Sequence, residues 1–502
     1  MQYPTGFYSD ANNCQSGRGT VTQSEETRRS GGAVEERLER NIGLLGATSI
    51  GVGTMIAGGI FVLSGLAVAT VGAAAAVSFG LAALVASFTA LSYAEFATIY
   101  TVDGGGYAYV AEVFDSDFSY LVGWLMILGY PASAAFYLAS FTDWFARFIW
   151  PALALPAALP FWIPGVVVLS VLVAINLAGA KESGKFQIVV TGLKVALIAL
   201  FLFGGIRAFQ ADVVATSLST HATQFGDVAL TSALVFITFF GFEAIATNEG
   251  EIESPERTVP RAIFLSIGLV TLLYVLVVLV VVVAINDGAF LAFLVERTGL
   301  ASQAAATSFI AEHGEVAMAR AAQFYLGPAG FYIFVGGALL SMLSAANATV
   351  LAGSRVKLAM AERDHLPESV EQIDERTGSP TVAVAVTGGL VLLFFLVFGV
   401  IFAAPPGKTA PESSLVLGLE SLAHFADFML LGGLAFVNVA LIQSRRKYPD
   451  RKRRFRVPGV PWVPLLGAAS TLVLLASLEH VSIVLGVGAV VVGVVFWFAV
   501  LD

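Results

Sequence analysis

Gly51-Val-Gly-Thr-Met-Ile-Ala-Gly-Gly-Ile-Phe61 is apolar and uncharged, yet it crowds glycines 51, 53, 58 and 59 into nine residues. Each glycine lowers helix stability by about 1 kcal/mol relative to alanine. The pair Gly58-Gly59 falls near the middle of an apolar segment, 43–68. Broken backbone at membrane depth is tolerated only where it lines protein or a cavity. The competing reading is close helix packing through small residues, as in Gly53-xxx-Ala57. A second segment tips the balance. Phe239-Phe-Gly-Phe-Glu243 again sets a glycine inside an apolar run, with an acid two residues on. These interruptions fall in the first and sixth apolar segments. Those are corresponding positions if ten helices form two five-helix halves, and such pairing is the sequence pointer to an inverted-repeat transport site.

Working outward, the whole chain reads as membrane-embedded. It is 57% hydrophobic and 13% charged, whereas a soluble domain carries about 25% charged residues. Val270–Ile285, Phe331–Gly353, Val382–Ala404 and Val481–Val500 contain no charge. About 20 apolar residues cross a bilayer as a helix. Twelve segments fit: 43–68, 74–99, 118–149, 161–179, 184–206, 228–247, 260–285, 324–357, 381–403, 420–442, 462–479 and 481–500. The expected organisation is a polar, flexible tail over 1–40 and an inverted-repeat core over 41–443. A basic loop over 444–461 and two C-terminal helices over 462–502 follow.

Residues 1–40 have no apolar stretch of signal-peptide type, so the first span is expected to direct insertion. The lone Cys14 leaves no internal disulfide or cysteine metal site. The net charge of −9 comes from acidic loops, which suits either a high-salt organism or drift in loop composition. Of the 27 Lys and Arg, Lys194 lies within a span. Arg147, Arg207, Arg297, Arg320 and Lys408 fall on one side and the remaining 21 on the other. The positive-inside rule then puts both termini in the cytoplasm. Residues 445–456 are the densest basic run, and beside a membrane helix it suits anionic lipid headgroups better than nucleic acid.

Lys194 sits about 13 Å into the fifth segment at 1.5 Å per residue, where insertion costs about 2.5–3.5 kcal/mol. Gln187, Thr191 and Lys194 share one helical face, a polar stripe that points inward unless the lysine snorkels to the surface. A buried amine of this kind suits a group that gains and loses a proton. Glu243 reads as a cap for the second half of the sixth segment. Glu420, His424 and Asp427 share a face at the outer end of the tenth and read as a solvated helix end.

The chain resembles the amino acid–polyamine–organocation transporter superfamily over about 41–465. The resemblance rests on the Gly-rich first span, Leu91-Ser-Tyr-Ala-Glu-Phe96, Gly104-Gly-Gly-Tyr-Ala-Tyr109 and Asn176-Leu-Ala-Gly179 with Lys194. It continues through Phe240-Gly-Phe-Glu243, Glu251-Ile-Glu-Ser-Pro-Glu-Arg-Thr-Val-Pro-Arg-Ala-Ile263, Ser354-Arg355 to Leu366-Pro367, and Arg454-Phe-Arg-Val-Pro458. It implies an all-α, leucine-transporter-like fold with discontinuous helices one and six. The site would lie among spans one, three, six, eight and ten. It implies that a substrate carboxylate meets the N–H groups of Gly58 and Gly59, flanked by Ile56 and Ala57. The ammonium would meet carbonyls of Met55, Ile237 and Phe240, near Phe239 and Gly241. It places Lys194 where sodium-driven relatives hold sodium, facing Gly53, Ile56, Ser341 and Ser344. The chain departs from the family's Gly-x-Gly-Ile-Phe, reading Ala57-Gly58-Gly59-Ile60-Phe61. At the aromatic gate position it carries Ile237, with Phe236 beside it.

These readings converge on a plasma-membrane, secondary active amino acid transporter coupled to protons. The alternatives kept open are an exchanger without proton coupling and a membrane amino acid sensor. An enzyme is not expected, since there is no His-Glu-x-x-His or Gly-x-Ser-x-Gly and the 5 histidines are scattered. No cofactor is expected. An ion channel gives no reason for paired interruptions. The third segment shows no acid near Leu128-Gly-Tyr130, which favours a neutral, apolar substrate. In a Cys14-free background, an impermeant thiol reagent applied outside should label a cysteine at 408 and miss one at 450. External labelling at 450 overturns this topology.

Overall fold

The computed structural model describes residues 40–57, 59–100, 102–156, 159–207, 209–221, 224–402 and 418–501. Gly58, most of the N-terminal tail and Lys408 lie outside them. Among the described residues the chain forms helices and no strand. The first helices are α1 (Leu44–Met55), α2 (Gly59–Val71), α3 (Ala75–Ala97), α4 (Gly105–Ala111) and α5 (Ser116–Trp144). Then come α6 (Ile163–Leu177), α7 (Ala180–Ile206), α8 (Ala211–His221), α9 (Phe225–Phe236), α10 (Glu243–Thr247) and α11 (Pro255–Ile285). The remainder are α12 (Gly288–Thr298), α13 (Gln303–Glu312), α14 (Gly314–Leu326), α15 (Pro328–Ala361), α16 (Thr381–Leu396), α17 (Leu419–Lys447), α18 (Trp462–Ala476) and α19 (His480–Phe496). Nine helical stretches among the described residues are long and apolar enough to cross a membrane, and α1, α6 and α18 are shorter apolar helices. Together they fall on the twelve segments expected from the sequence.

Helix boundaries follow local chemistry. Pro255 opens α11 and Pro328 opens α15, where proline's missing N–H leaves no intrahelical bond unmade. Asp287 and Ser302 cap α12 and α13 by accepting from Ala289 N and Ala305 N. The centre of the bundle is α1, which packs against α7, α11 and α15. Helix α5 runs beside α15 and α17, and α3 beside α9 and α11. Lipid tails are as apolar as leucine, so helix association depends on close packing and interhelical hydrogen bonds. The interior shows both. Alanines 82, 86, 90, 338, 345, 348 and 352 are buried, and a chain of buried polar side chains threads between α6, α7 and α15. In it Asn176 Nδ2 donates to Asn347 Oδ1 at 3.0 Å, and Asn347 Nδ2 to Gln187 Oε1 at 3.1 Å.

One end of the bundle is closed by buried ions. The segments just outside α1 and α10 pair through Ile42 N to Glu251 O and Glu253 N to Ile42 O, both 2.9 Å. Arg355, wholly buried, grips Glu251 with two nitrogens. Asp103 accepts from Gly250 N at 2.9 Å. Burial, then the charges of Glu251 and Glu362, push its carboxyl up to about 8. Tyr109 donates to Glu249 at 2.5 Å. Nearby, Tyr107 and Ser116 hydroxyls hold the two ring nitrogens of His365 at 2.8 and 2.7 Å. Burial and the Arg363 charge push this imidazole down to about 4.

The basic run 445–456 looks different here from the sequence expectation. Arg445 reaches Glu95 with Nε at 2.9 Å and Nη2 at 2.5 Å. Arg453 lies 3.1 Å from the same carboxylate, and Val457 N donates to it at 2.6 Å. Arg454 pairs with Glu256, Lys447 donates to Val113 O, and Arg451 stacks over Tyr100. Only Arg446, Lys452 and Arg456 remain exposed without such a contact in the described residues. Much of the positive charge therefore straps α17 to α3 rather than facing lipid. Glu95 has no exposed surface, and removing one partner of a buried ion pair leaves the other charge uncompensated. Glu95→Ala should destabilise the protein by about 3 kcal/mol, read as earlier thermal unfolding of the purified protein in detergent. An unchanged melting curve would show that the strap contributes nothing.

Candidate functional site

Helix α1 stops at Met55 and α2 begins at Gly59. Ile56 leaves helical geometry at φ −85°, ψ 60°. The sixth segment breaks in the same manner. After α9 a short 3-10 turn covers Ile237–Phe239, Phe240 is extended at ψ 144°, and α10 starts at Glu243. Gly241 has φ +121°, a conformation that residues with a Cβ rarely adopt. A broken helix leaves backbone groups without intrahelical partners. The surrounding side chains meet them.

The two breaks touch. Thr54 Oγ1 donates to Gly241 O at 3.0 Å and also lies 2.7 Å from Ile50 O. A Cβ on Gly241 would collide with Thr54. Gly241 N donates to Glu243 Oε2 at 2.8 Å, so the carboxylate folds back over the break at the start of α10. Tyr274 of α11 donates to Met55 O at 3.3 Å. Phe240 N donates to Ile237 O at 3.2 Å. Two of the three carbonyls expected to face an ammonium, those of Met55 and Ile237, thus each already accept one hydrogen bond and keep a lone pair free. Phe236 and Phe240 rings meet edge-on at 5.5 Å. Ile237 and Phe240 are half-buried while Phe236 and Phe239 are buried. Ala57 is buried beside the first break, and Gly58 lies outside the described residues.

Lys194 is wholly buried, not snorkelling. Its Nζ donates to Gly53 O at 2.9 Å, to Ile56 O at 3.1 Å and to Ser344 Oγ at 3.3 Å. These are carbonyls from the last turn of α1 and its exit. Its two companions on the stripe act on the same helix. Gln187 Nε2 and Thr191 Oγ1 both donate to Ser49 O at 3.2 Å, and Gln187 also donates to Ser344 at 2.9 Å. The sequence grouping of Lys194 with Gly53, Ile56 and Ser344 is therefore one contiguous cluster. Ser341 is not part of it, as its buried hydroxyl has no hydrogen-bond partner among the described residues.

Sequence reasoning missed Thr54 and Tyr274, which tie the two breaks together and to α11. Thr54 sat inside the quoted Gly-rich stretch and was the sole hydroxyl there. Tyr274 carried no local signal. The Asn176–Asn347 pair was also missed. Each lies in a largely apolar helix, and nothing local pairs them. Among the described residues no cluster of His, Cys, Asp and Glu has a metal-binding arrangement.

The chain's closest functional context comes from comparison with known proteins. A family model described as amino acid permease matches residues 42–501. The branched-chain amino acid permease BcaP of Bacillus subtilis is 27% identical over 483 residues, covering 92% of this chain and 93% of that protein. The methylthioribose transporter of the same organism is 26% identical, covering 92% of this chain and 93% of its own length. The serine/threonine exchanger SteT, also of Bacillus subtilis, is 26% identical, covering 88% and 91%.

A Cβ on Gly59 would sit 3.0 Å from both Thr238 Cβ and Tyr274 Oη, so a branched side chain must push the second break and α11 away from α2. Gly59→Val should lower substrate affinity by about 2 kcal/mol or more, roughly thirtyfold. The protein should still insert and run as a single species in size-exclusion chromatography. Wild-type affinity in calorimetry would place the site elsewhere.

Proposed function

The chain belongs to the amino acid permease family, and from that premise we propose that it is a secondary active transporter of amino acids in the plasma membrane. It alternates access around the two helix breaks, and transport is coupled to protons through Lys194. The observation that carries the coupling is the grip of the Lys194 amine on Gly53 O, Ile56 O and Ser344 Oγ. That ammonium fills the position beside the first break that a sodium ion would otherwise occupy in this architecture. In this reading the twelve apolar segments span the membrane as two inverted five-helix halves plus two further helices. Both termini face the cytoplasm. The exposed Arg446, Lys452 and Arg456 meet anionic headgroups.

The substrate's carboxylate docks at the start of α2, where the first N–H groups have no intrahelical partner and the helix dipole is positive. Met55, Ile237 and Phe240 carbonyls face its ammonium. Phe236 and Phe240 close over its side chain. These contacts read the part common to all amino acids. The substrate is neutral in this reading, and the proton brings the transported positive charge.

Lys194 works through charge. As an ammonium it makes charge-assisted hydrogen bonds to carbonyls, which are about twice as strong as neutral ones. Once it gives up its proton, the hold on α1 weakens and α1 can shift against α7. Binding a proton and binding substrate then favour the same arrangement of α1, which is the differential interaction that coupling requires.

A gradient of one pH unit is worth about 1.4 kcal/mol per proton, so one-to-one coupling gives about tenfold accumulation. In proteoliposomes, wild type should approach this ratio and Lys194→Ala should equilibrate substrate without concentrating it. Wild-type accumulation by the alanine variant overturns the role of Lys194. SteT is described as an exchanger, and uptake that occurs only against preloaded amino acid, indifferent to the gradient, would favour exchange.

A further inference from the structure

Asp427 stands apart from every network described above. It lies on α17, one turn below His424 and two below Glu420. Those two belong to the outer end. Glu420 is exposed, and His424 lies 3.8 Å from Glu479. Glu479 in turn takes the Ser421 and Ser482 hydroxyls at 3.1 and 3.3 Å. The sequence reading of one solvated acidic face therefore fails at Asp427, which is only 8% exposed. Its Oδ2 is fully enclosed and has no hydrogen-bond partner among the described residues. A buried polar oxygen without a partner costs free energy that proteins rarely leave uncompensated.

Tyr137 of α5 lies within electrostatic reach of both Asp427 and Glu243. Glu243 is the carboxylate folded over the second break. Tyr137 also lies within reach of Tyr274, whose hydroxyl is bonded to Met55 O at the first break. Tyr137 is itself only half-buried and packs between the two apolar clusters of the bundle, in the last third of a 29-residue helix. Tyr137 thus has Asp427 and a group from each break in its electrostatic neighbourhood.

We propose that Asp427 is a specificity-determining residue of the transport site, and that the substrate is an amino acid whose side chain carries a hydrogen-bond donor. This rests on the transport reading above and replaces the neutral, apolar substrate expected from the sequence with one whose side chain is polar. The shared backbone of the amino acid is held at the breaks, on α2 and the 237–241 turn. Its side chain then points toward α5 and α17, where the enclosed oxygen supplies the acceptor. A hydroxyl suits the carboxyl in either protonation state, because one of its oxygens always accepts. An ammonium suits only the ionised form. An apolar side chain leaves the oxygen unpaired, and a site that loses a buried hydrogen bond rejects such a ligand far more strongly than an apolar pocket rejects a small change in size.

The test is calorimetric binding of threonine, valine, serine, alanine, lysine and norleucine to the purified protein, in wild type, Asp427→Asn and Asp427→Leu. Threonine and valine are near-isosteric and differ by the donor. Wild type should bind threonine over valine, or lysine over norleucine, by about tenfold or more. Asp427→Leu should bring that ratio to one or below while keeping affinity for the apolar member. Asp427→Asn preserves shape and an acceptor oxygen. It should keep a hydroxyl preference and lose a lysine preference, which separates the two donors. It also guards against a folding defect in the leucine variant. Valine and norleucine both binding as well as their donor-bearing partners in wild type overturns the assignment. So does a donor preference unmoved in both variants. If wild type binds no amino acid at all, the transport reading fails with it; if it binds apolar amino acids tightly, only the Asp427 assignment fails.

Discussion

Backbone that leaves helical geometry away from water must find its hydrogen bonds within the protein. That constraint organises this molecule. Helices α1 and α9 each stop short inside apolar segments, and the carbonyls and N–H groups freed there are answered at close range. Lys194, Gln187 and Thr191 answer α1 from α7. Tyr274 answers it from α11, and the second break is answered by Thr54 of α1 and Glu243 of α10. An unsatisfied polar group in hydrocarbon costs several kcal/mol, so each of these side chains is placed by necessity. Helix α1 sits at the centre of the bundle, enclosed by α7, α11 and α15, and α9 packs against α2 and α3.

The same bonds hold the two breaks in place. Hydrogen bonds between a side chain and a helix end can be exchanged for others, whereas a continuous helix must unfold to bend. Lys194 holds two carbonyls on either side of the exit from α1. At the basic end the closure is ionic. Arg355 with Glu251, and Arg445 and Arg453 with Glu95, join segments far apart in sequence. Buried ion pairs of this kind add little net stability against an apolar replacement, but they are strongly directional and cost much when half-broken.

The polar chain from Asn176 through Asn347 and Gln187 to Ser344 links α6, α7 and α15 to the Lys194 cluster. Each member satisfies its neighbour, so displacing one leaves a buried group unpaired. Such a network fixes the relative rotation of its helices more tightly than alanine and valine packing does, because apolar contacts have no preferred direction.

Sequence alone determined the segments and the two interruptions, because these depend on local runs of apolar residues and on glycine's backbone freedom. It also placed Lys194 on an inward stripe, since helical spacing fixes which residues share a face. Which groups that stripe meets was decided by tertiary structure. Lys194 and Gly53 are 141 residues apart, and Asn176 and Asn347 171 apart. No local pattern encodes such a meeting. Tertiary structure alone also decided that the basic run is drawn onto Glu95 and that Ser341 stays out of the Lys194 cluster. It likewise parted Asp427 from the residues sharing its helical face. Spacing gives the face, but burial depends on how deep along the helix the neighbours reach, and α17 is covered by α5 where Asp427 lies and open to the surface at Glu420.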